Sequence, residues 1–366
     1  MLHSQPYTVE DFPRSPLMFY YEVTRACDLV CKHCRASAQE NAAPGELSRE
    51  EAMALIAQVA SFERKPTICF TGGDPLKRAD LFDLIAYATS LGIRGALTPS
   101  ATPLATFDAL RQAKEAGISA LGLSIDGPDP AVHDSFRGFS GSFDRAMEIL
   151  RYAEELELPV QVNTSITRRN HQLVRAIAER LTSPAVKMWS VFFLVPVGRG
   201  VEETRISPEE YIDVFRTLHT LSGQVKFAIK TTEAPHYRVF VRNQGGDPMR
   251  GRSAHGRAPL GITDGRGIMF VGHDGEILPA GFLPVVCGKF PNDSVVETYQ
   301  NHPVFRALHD PNNYRGQCGR CQHRFICGGS RARAFALFGD YLAEEPDCFD
   351  AERGGLFVAE GTDNNK

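Results

Sequence analysis

The sequence predicts an α/β protein: a partial (β/α)6 barrel of the TIM type, followed by a small C-terminal α+β extension. Three observations predict it. Between Leu17 and Val195, short apolar runs alternate with amphipathic segments. The alternation counts six units, fewer than the eight of a closed barrel. After Gly200 the alternation breaks, and the chain beyond Cys318 is rich in cysteine.

The strand candidates in order are Leu17–Val23, Thr67–Phe70, Arg94–Leu97, Ala120–Ile125, Val160–Ile166 and Trp189–Leu194. Between them, helices are expected over Arg49–Phe62, Asp80–Leu91, Leu104–Ala116, Phe143–Leu156 and His171–Leu181, where apolar residues recur every three or four positions. Ser48, followed by Glu50 and Glu51, reads as a helix start. Strand–helix alternation requires parallel strands joined by right-handed crossovers. Beyond the barrel, Glu202–Leu221 reads as a helix and Lys226–Thr231 as a strand. Gly267–Leu278 reads as a hairpin turning at His273-Asp274-Gly275. Asn243–Pro259 reads as a long loop. The expected units are an N-terminal extension (1–16), the barrel (17–200), a bridging region (201–260), a cysteine-bearing domain (261–360) and a disordered tail (361–366).

The 366 residues are 43% hydrophobic and 23% charged, with a net charge of −4. That balance predicts a globular protein with no nucleic-acid partner. The first residues lack the basic start and apolar run of a secretory signal. The most apolar stretch, Trp189–Val197, is too short to span a bilayer. A cytoplasmic location is expected, and in that reducing compartment clustered cysteines point to metal.

Three cysteines follow the first strand, Cys27, Cys31 and Cys34, spaced Cys-x3-Cys-x2-Cys. Ligands gather at the carboxyl ends of parallel strands, so this loop lies where chemistry is expected. Cluster ligation usually takes four cysteines. Three thiolates at this spacing can hold three irons of a four-iron cluster and leave the fourth open to chelate a substrate or cofactor. The alternatives are a zinc site with His33 as fourth ligand and three incidental thiols.

The Cys-x3-Cys-x2-Cys loop after strand one resembles the signature of the radical S-adenosylmethionine (SAM) superfamily. The resemblance implies that the open iron chelates SAM and that the reduced cluster cleaves it to a 5′-deoxyadenosyl radical, which abstracts hydrogen from a substrate. It implies a reductant such as flavodoxin or ferredoxin. His33 stands where many members place an aromatic residue against the adenine. Thr71-Gly72-Gly73-Asp74-Pro75, after the second strand, resembles the motif that meets the SAM amino group through backbone and carboxylate, with Asp74 in place of Glu. Ser124 and Arg137 are implied contacts of the SAM carboxylate or ribose, Asn163 of the ribose hydroxyls, and the backbone near Leu194 of the adenine. Cys69, within the second strand, reads as a core thiol.

Cys318, Cys321 and Cys327, with Cys348 as a distant fourth, make a closed four-thiol set that suits zinc or a four-iron cluster. It resembles the SPASM and twitch extensions of radical SAM enzymes, which implies one auxiliary four-iron cluster beside the SAM-binding one. Ala280 and Arg331 stand where a full SPASM domain has further cysteines. Cys287 is left over, either as a free thiol or near the substrate. The segment from Gly328 to Cys348 resembles the branch that trims propionate side chains of iron porphyrinoids. The expected function is oxidative modification of a tetrapyrrole side chain. A peptide maturase and a non-catalytic iron–sulfur carrier or sensor are the alternatives. Arg250, Arg252, His255 and Arg257 are candidate partners of propionates, and Glu233, His236 and Tyr237 form a further polar cluster.

Overall fold

The computed structural model describes residues 6–248 and 261–349. Ten strands form one sheet: β1 (Met18–Glu22), β2 (Thr67–Thr71), β3 (Gly95–Leu97), β4 (Ile118–Ser124), β5 (Val160–Ile166), β6 (Val186–Phe193), β7 (Ala228–Thr232), β8 (Ile268–Val271), β9 (Glu276–Leu278) and β10 (Gly288–Lys289). Their spatial order is β10-β9-β8-β1-β2-β3-β4-β5-β6-β7. The run from β1 to β6 is parallel throughout, as the alternation predicts.

The parallel run does not stop at six strands. β7, from the region read as a bridge, extends it beside β6, and β8 pairs parallel with the outer edge of β1. The C-terminal extension is α+β in composition, yet its strands belong to the barrel sheet. The hairpin of β8 and β9 forms where predicted. The sheet stays open between β7 and β10, and it curls: Phe192 on β6 and Phe282 beyond β9 bring their rings within 6.1 Å across the interior.

Twelve helices complete the described elements: α1 (Arg49–Ala60), α2 (Leu81–Ser90), α3 (Phe107–Ala116), α4 (Pro130–Arg137), α5 (Ser142–Glu155), α6 (Val174–Ala178), α7 (Pro208–Ser222), α8 (Tyr237–Asn243), α9 (Val295–Asn301), α10 (Pro303–His309), α11 (Gly316–Arg320) and α12 (Arg331–Phe338). Ser48 caps α1 as predicted, in a reciprocal pair with Glu51. α4 was not foreseen, although Asp129 caps it, Pro130 opens it and Gly138 closes it at φ +65°. The helix expected from Glu202 starts later, at Pro208, because Ser207 and Glu210 form its capping box. The helix expected over His171–Leu181 shortens to α6, preceded by a tight 3-10 turn.

Strand periodicity sorts the two faces of the sheet. On β5, Val160, Val162, Thr164 and Ile166 are buried beneath the helices, while Gln161, Asn163 and Ser165 face inward with space beside them. Trp189 on β6 is fully buried and donates its indole N–H to Thr164 Oγ1 at 2.8 Å. The apolar core therefore lies outside the barrel wall, and a polar interior is left for chemistry. Among the described residues no helix is long and apolar enough to cross a membrane. Arg250, Arg252, His255, Arg257 and the 361–366 tail lie outside the described residues.

Candidate functional site

The first cysteine loop hangs from the carboxyl end of β1 and is tied down from several sides. Cys27 donates its N–H to Gln39 O at 2.6 Å, which closes the loop on itself. Arg199, just past β6, donates through Nε to Cys31 O at 2.8 Å and through Nη1 to Ala38 O at 2.8 Å. Its own N–H goes to Cys34 O at 3.0 Å. Lys77 pairs with Asp28 and donates to Glu40 O at 2.8 Å.

Gly72 and Gly73 press their backbone against this loop. Gly73 N–H donates to Thr24 O at 2.8 Å, and Asp74 N–H to Ala26 O at 2.6 Å. A Cβ on Gly73 would stand 2.3 Å from Ala26 O; one on Gly72, at φ +151°, would stand 2.3 Å from Thr24 O. The close approach expected toward a ligand is thus first an approach to the cysteine loop itself.

Cys27, Cys31 and Cys34 line one cleft with about 1000 Å³ of empty space, together with His33, Gly72, Gly73, Ser100, Ser124, Arg137 and Asn163. None of the nine cysteines is in a disulfide. Burial pushes the Cys27 thiol up and the Cys31 thiol to about 11, and the charge of Cys34 adds to both. Backbone N–H groups point at the sulfurs: Leu29 at Cys27 Sγ, 3.4 Å, and Ala38 at Cys34 Sγ, 3.4 Å. Such donors favour the thiolate.

Two expectations for this cleft need correction. Asp74 is fully buried and its carboxylate does not line the cleft. It accepts from Thr102 Oγ1 at 2.7 Å and from the N–H groups of Ser100 and Leu76 at 3.3 and 3.2 Å. It shapes the turn, and Ser100, held by Gly73 O at 2.9 Å, reaches the cleft instead. Leu194 is also turned inward. Its N–H donates to Ile166 O and its carbonyl accepts from Arg333 Nε, both at 3.3 Å, and the residue does not line the cleft.

Arg137 sits at the end of α4, where its guanidinium pairs with Asp126 and donates to Cys31 Sγ at 3.7 Å. The contact joins the wall of the cleft to a thiol. His33 stacks on Phe136 with ring centroids 4.3 Å apart, and its buried Nδ1 has no hydrogen-bond partner among the described residues. Burial and the nearby Arg137 and Arg199 hold its pKa well below the usual histidine value. Asn163 accepts from Gln161 Nε2 at 2.8 Å through its side-chain oxygen and keeps its place on the cleft wall.

Two residues that support the cleft were not foreseen, one in its wall and one behind the cysteine loop. Asp126 N–H donates to His133 Nδ1 at 3.0 Å, so Nε2 carries the proton and donates to Ser142 Oγ at 3.1 Å. Burial drops the pKa of His133 to about 4. Arg199 is the other; its contacts cross the whole barrel and leave no local signal in the sequence.

The second constellation also converges. Cys318, Cys321, Cys327 and Cys348 line one narrow pocket with His236 and Glu345. Three sulfurs accept backbone N–H donors: Cys318 from Glu345 at 3.2 Å, Cys321 from His323 at 3.3 Å and Cys327 from Gly329 at 3.4 Å. Arg331 adds a fourth contact, Nη2 to Cys318 Sγ at 3.6 Å. Among the described residues no group of three or more His, Cys, Asp or Glu is arranged around a single metal ion. Both thiol sets instead border a space.

The remaining candidates sort as follows. Cys69 points at Thr98 Oγ1 at 3.3 Å, and burial lifts its thiol to about 11. Cys287 donates to Val285 O at 3.4 Å, is lifted to about 12 and lines neither space. Tyr237 packs with Phe215 and Phe240. Glu233, at φ +57°, follows β7 and accepts from Ser330 Oγ. Enclosure of its carboxyl and the adjacent Asp264 push its pKa well above the carboxylate range.

A three-thiol cleft at the end of strand one of an open parallel barrel, with a glycine turn beside it, defines a class. The chain belongs to the radical SAM superfamily and is a radical SAM enzyme: the family model described as Radical SAM superfamily matches residues 21–179. Members bind SAM and a four-iron cluster. Among individual proteins, the chain is 38% identical to the AdoMet-dependent heme synthase of Oleidesulfovibrio alaskensis, over 94% of this chain and 90% of that one. It is 36% identical to the AdoMet-dependent heme synthase of Methanosarcina barkeri, over 91% and 96%. The fold resembles the crystal structure of Streptococcus suis SuiB, with a TM-score of 0.70 at 14% identity over 92% of this chain and 77% of that one.

Proposed function

We propose that the chain oxidises a propionate side chain of an iron porphyrin haem precursor: a SAM-derived radical takes one hydrogen atom, and as CO2 leaves the remaining electron passes to a one-electron acceptor by way of the second thiol site. The observation that carries the reading is the convergence of both thiol sets on separate spaces in a chain 36–38% identical, nearly end to end, to heme synthases. A peptide substrate has no comparable support at that level of identity.

Cys27, Cys31 and Cys34 hold the SAM-binding four-iron cluster. Three thiols around a cleft suit a cluster with one open corner better than zinc, which wants a closed tetrahedral set. When bound, cluster and SAM together supply a 5′-deoxyadenosyl radical. The protein does the rest. Ser100, Ser124 and Asn163 present polar groups along the cleft, where SAM lies. His33 offers Nδ1 and a ring face toward the adenine. Arg137, engaged with Asp126 and Cys31, keeps positive charge beside the cluster. Phe192 and Phe282 line the apolar part of the wall, against which a porphyrin face packs and from which water is excluded.

Cys318, Cys321, Cys327 and Cys348 hold a second, auxiliary four-iron cluster. A flavodoxin or ferredoxin delivers the electron that starts each turnover.

The test is anaerobic reconstitution, reduction with dithionite and addition of SAM with iron coproporphyrin. The expected result is 5′-deoxyadenosine together with a porphyrin that has lost CO2. No 5′-deoxyadenosine with both clusters loaded would leave a non-catalytic iron–sulfur carrier or sensor. Formation of 5′-deoxyadenosine with the porphyrin unchanged, and turnover of a precursor peptide instead, would favour the peptide maturase.

A further inference from the structure

His236 is the least satisfied polar side chain beside either thiol set. It is 1% exposed, and neither ring nitrogen has a hydrogen-bond partner among the described residues. Buried polar groups are almost always paired, so an imidazole with both nitrogens open needs an explanation. His133 shows the ordinary arrangement in the same chain, with one nitrogen accepting at 3.0 Å and the other facing a hydroxyl at 3.1 Å.

The surroundings of His236 say where its missing partner lies. Aromatic rings cover it on three sides: Phe215 at 5.1 Å, Tyr211 at 5.2 Å and Phe349 at 5.8 Å between centroids. None of these faces accepts a strong hydrogen bond from a ring N–H. Beside His236 stand Glu345, Arg333 and Asp347, whose charges act on the ring but which make no hydrogen bond to it, and the pocket lined by Cys318, Cys321, Cys327 and Cys348. The donors already aimed at those sulfurs are backbone N–H groups and Arg331. A neutral imidazole adds one N–H of the same kind.

We propose that His236 donates a hydrogen bond to a sulfur of the auxiliary cluster and thereby raises that cluster's reduction potential. The inference rests on reading the four cysteines as cluster ligands. Four thiolates complete a four-iron cluster, so the imidazole has no iron left to bind and acts on sulfur instead. A hydrogen bond to sulfur stabilises the reduced cluster more than the oxidised one, because reduction adds negative charge. Losing it makes reduction harder.

The experiment uses the full chain with Cys27, Cys31 and Cys34 all changed to Ala, so that the only cluster signal comes from the second site. His236, His236→Phe and His236→Gln forms are reconstituted anaerobically, their iron is counted, and each is titrated electrochemically with EPR detection. Phe fits among the rings already there; Gln keeps an N–H donor. The expected result is full iron in all three and a tenfold loss in the reduction equilibrium for His236→Phe, a fall of about 59 mV for one electron. His236→Gln recovers most of it. Equal midpoints in the loaded His236 and His236→Phe forms would overturn the inference and leave the cluster reading intact. No iron in the His236 form would overturn the cluster reading and the inference with it. Pulsed EPR of the His236 form supplies a check that needs no substitution at 236: a weak imidazole nitrogen coupling and an exchangeable proton are expected, and absence of both rejects the hydrogen bond.

Discussion

Arg333 donates through Nη1 to Glu345 Oε1 at 2.8 Å, and neither side chain is more than 1% exposed. The same guanidinium reaches Asp347 at 3.2 Å, Leu194 O at 3.3 Å and Glu233 O at 2.6 Å. Glu345 in turn donates its N–H to Cys318 Sγ. One buried cation therefore joins the ends of β6 and β7 to the second thiol pocket.

Removing one partner of a buried ion pair strands the other, which costs about 3–5 kcal/mol. Arg333→Met is expected to lose that much in denaturant unfolding and to release iron from the second site first. Arg333→Met combined with Glu345→Gln, which removes the Glu345 charge and leaves Asp347 its pairing with Arg205, should recover part of it. Additive losses in the double variant would argue against the pairing.

The two thiol sets are expected to load independently. On the proposed reading of one four-iron cluster in each set, changing Cys27, Cys31 and Cys34 to Ala should remove about half the iron and all 5′-deoxyadenosine formation. Changing Cys318, Cys321 and Cys327 to Ala should remove the other half and leave SAM binding at the first cleft. Iron analysis and chromatography of the nucleoside check both.

The glycine turn is expected to act through the cysteine loop. Gly73→Ala forces a Cβ to within 2.3 Å of Ala26 O, which must shift. Iron retention at the first set and SAM affinity should both fall, while far-UV circular dichroism stays unchanged. Gly223→Ala is the control: its nearest neighbour is Thr220 O at 3.7 Å, and its φ of −88° suits any residue.

Stability is expected to fall as the medium is acidified from about pH 6.5 to 4. His133 is held neutral, with its pKa dropped by burial to about 4. In that window the unfolded chain takes up a proton at this histidine that the folded chain refuses. The contribution is present in full above the unfolded value and is lost on the way down, by at most about 3 kcal/mol. His133→Gln should flatten this part of the pH–stability curve. An unchanged slope would show that other groups control it.

Much of this was legible because the signals are local. Thiolate spacing survives in seven or eight residues, and strand–helix alternation within each unit gave the parallel order from β1 to β6. What stayed hidden depends on partners far apart in the chain. Arg199 reads as a surface arginine until the fold brings it onto Cys31 and Ala38. The inward turn of Asp74 depends on Thr102, and that of Leu194 on Arg333. β8 looked like one arm of a free-standing hairpin because only one of its two edges, the one toward β9, is written in adjacent sequence. The missed helix α4 was different: its Asp129-Pro130 start and Gly138 stop were in plain view.

The pairing of β8 with β1 also orders events in time. Glu22, at the end of β1, accepts from His273 Nδ1 at 2.9 Å and from Arg35 Nη2 at 2.8 Å, one residue past Cys34. During synthesis the amino-terminal half can lay β2 against β1 early, but the His273 clamp waits until most of the chain has left the ribosome. The strand that carries the first thiol loop is therefore held from both of its edges only once two-thirds of the polypeptide and more has been made.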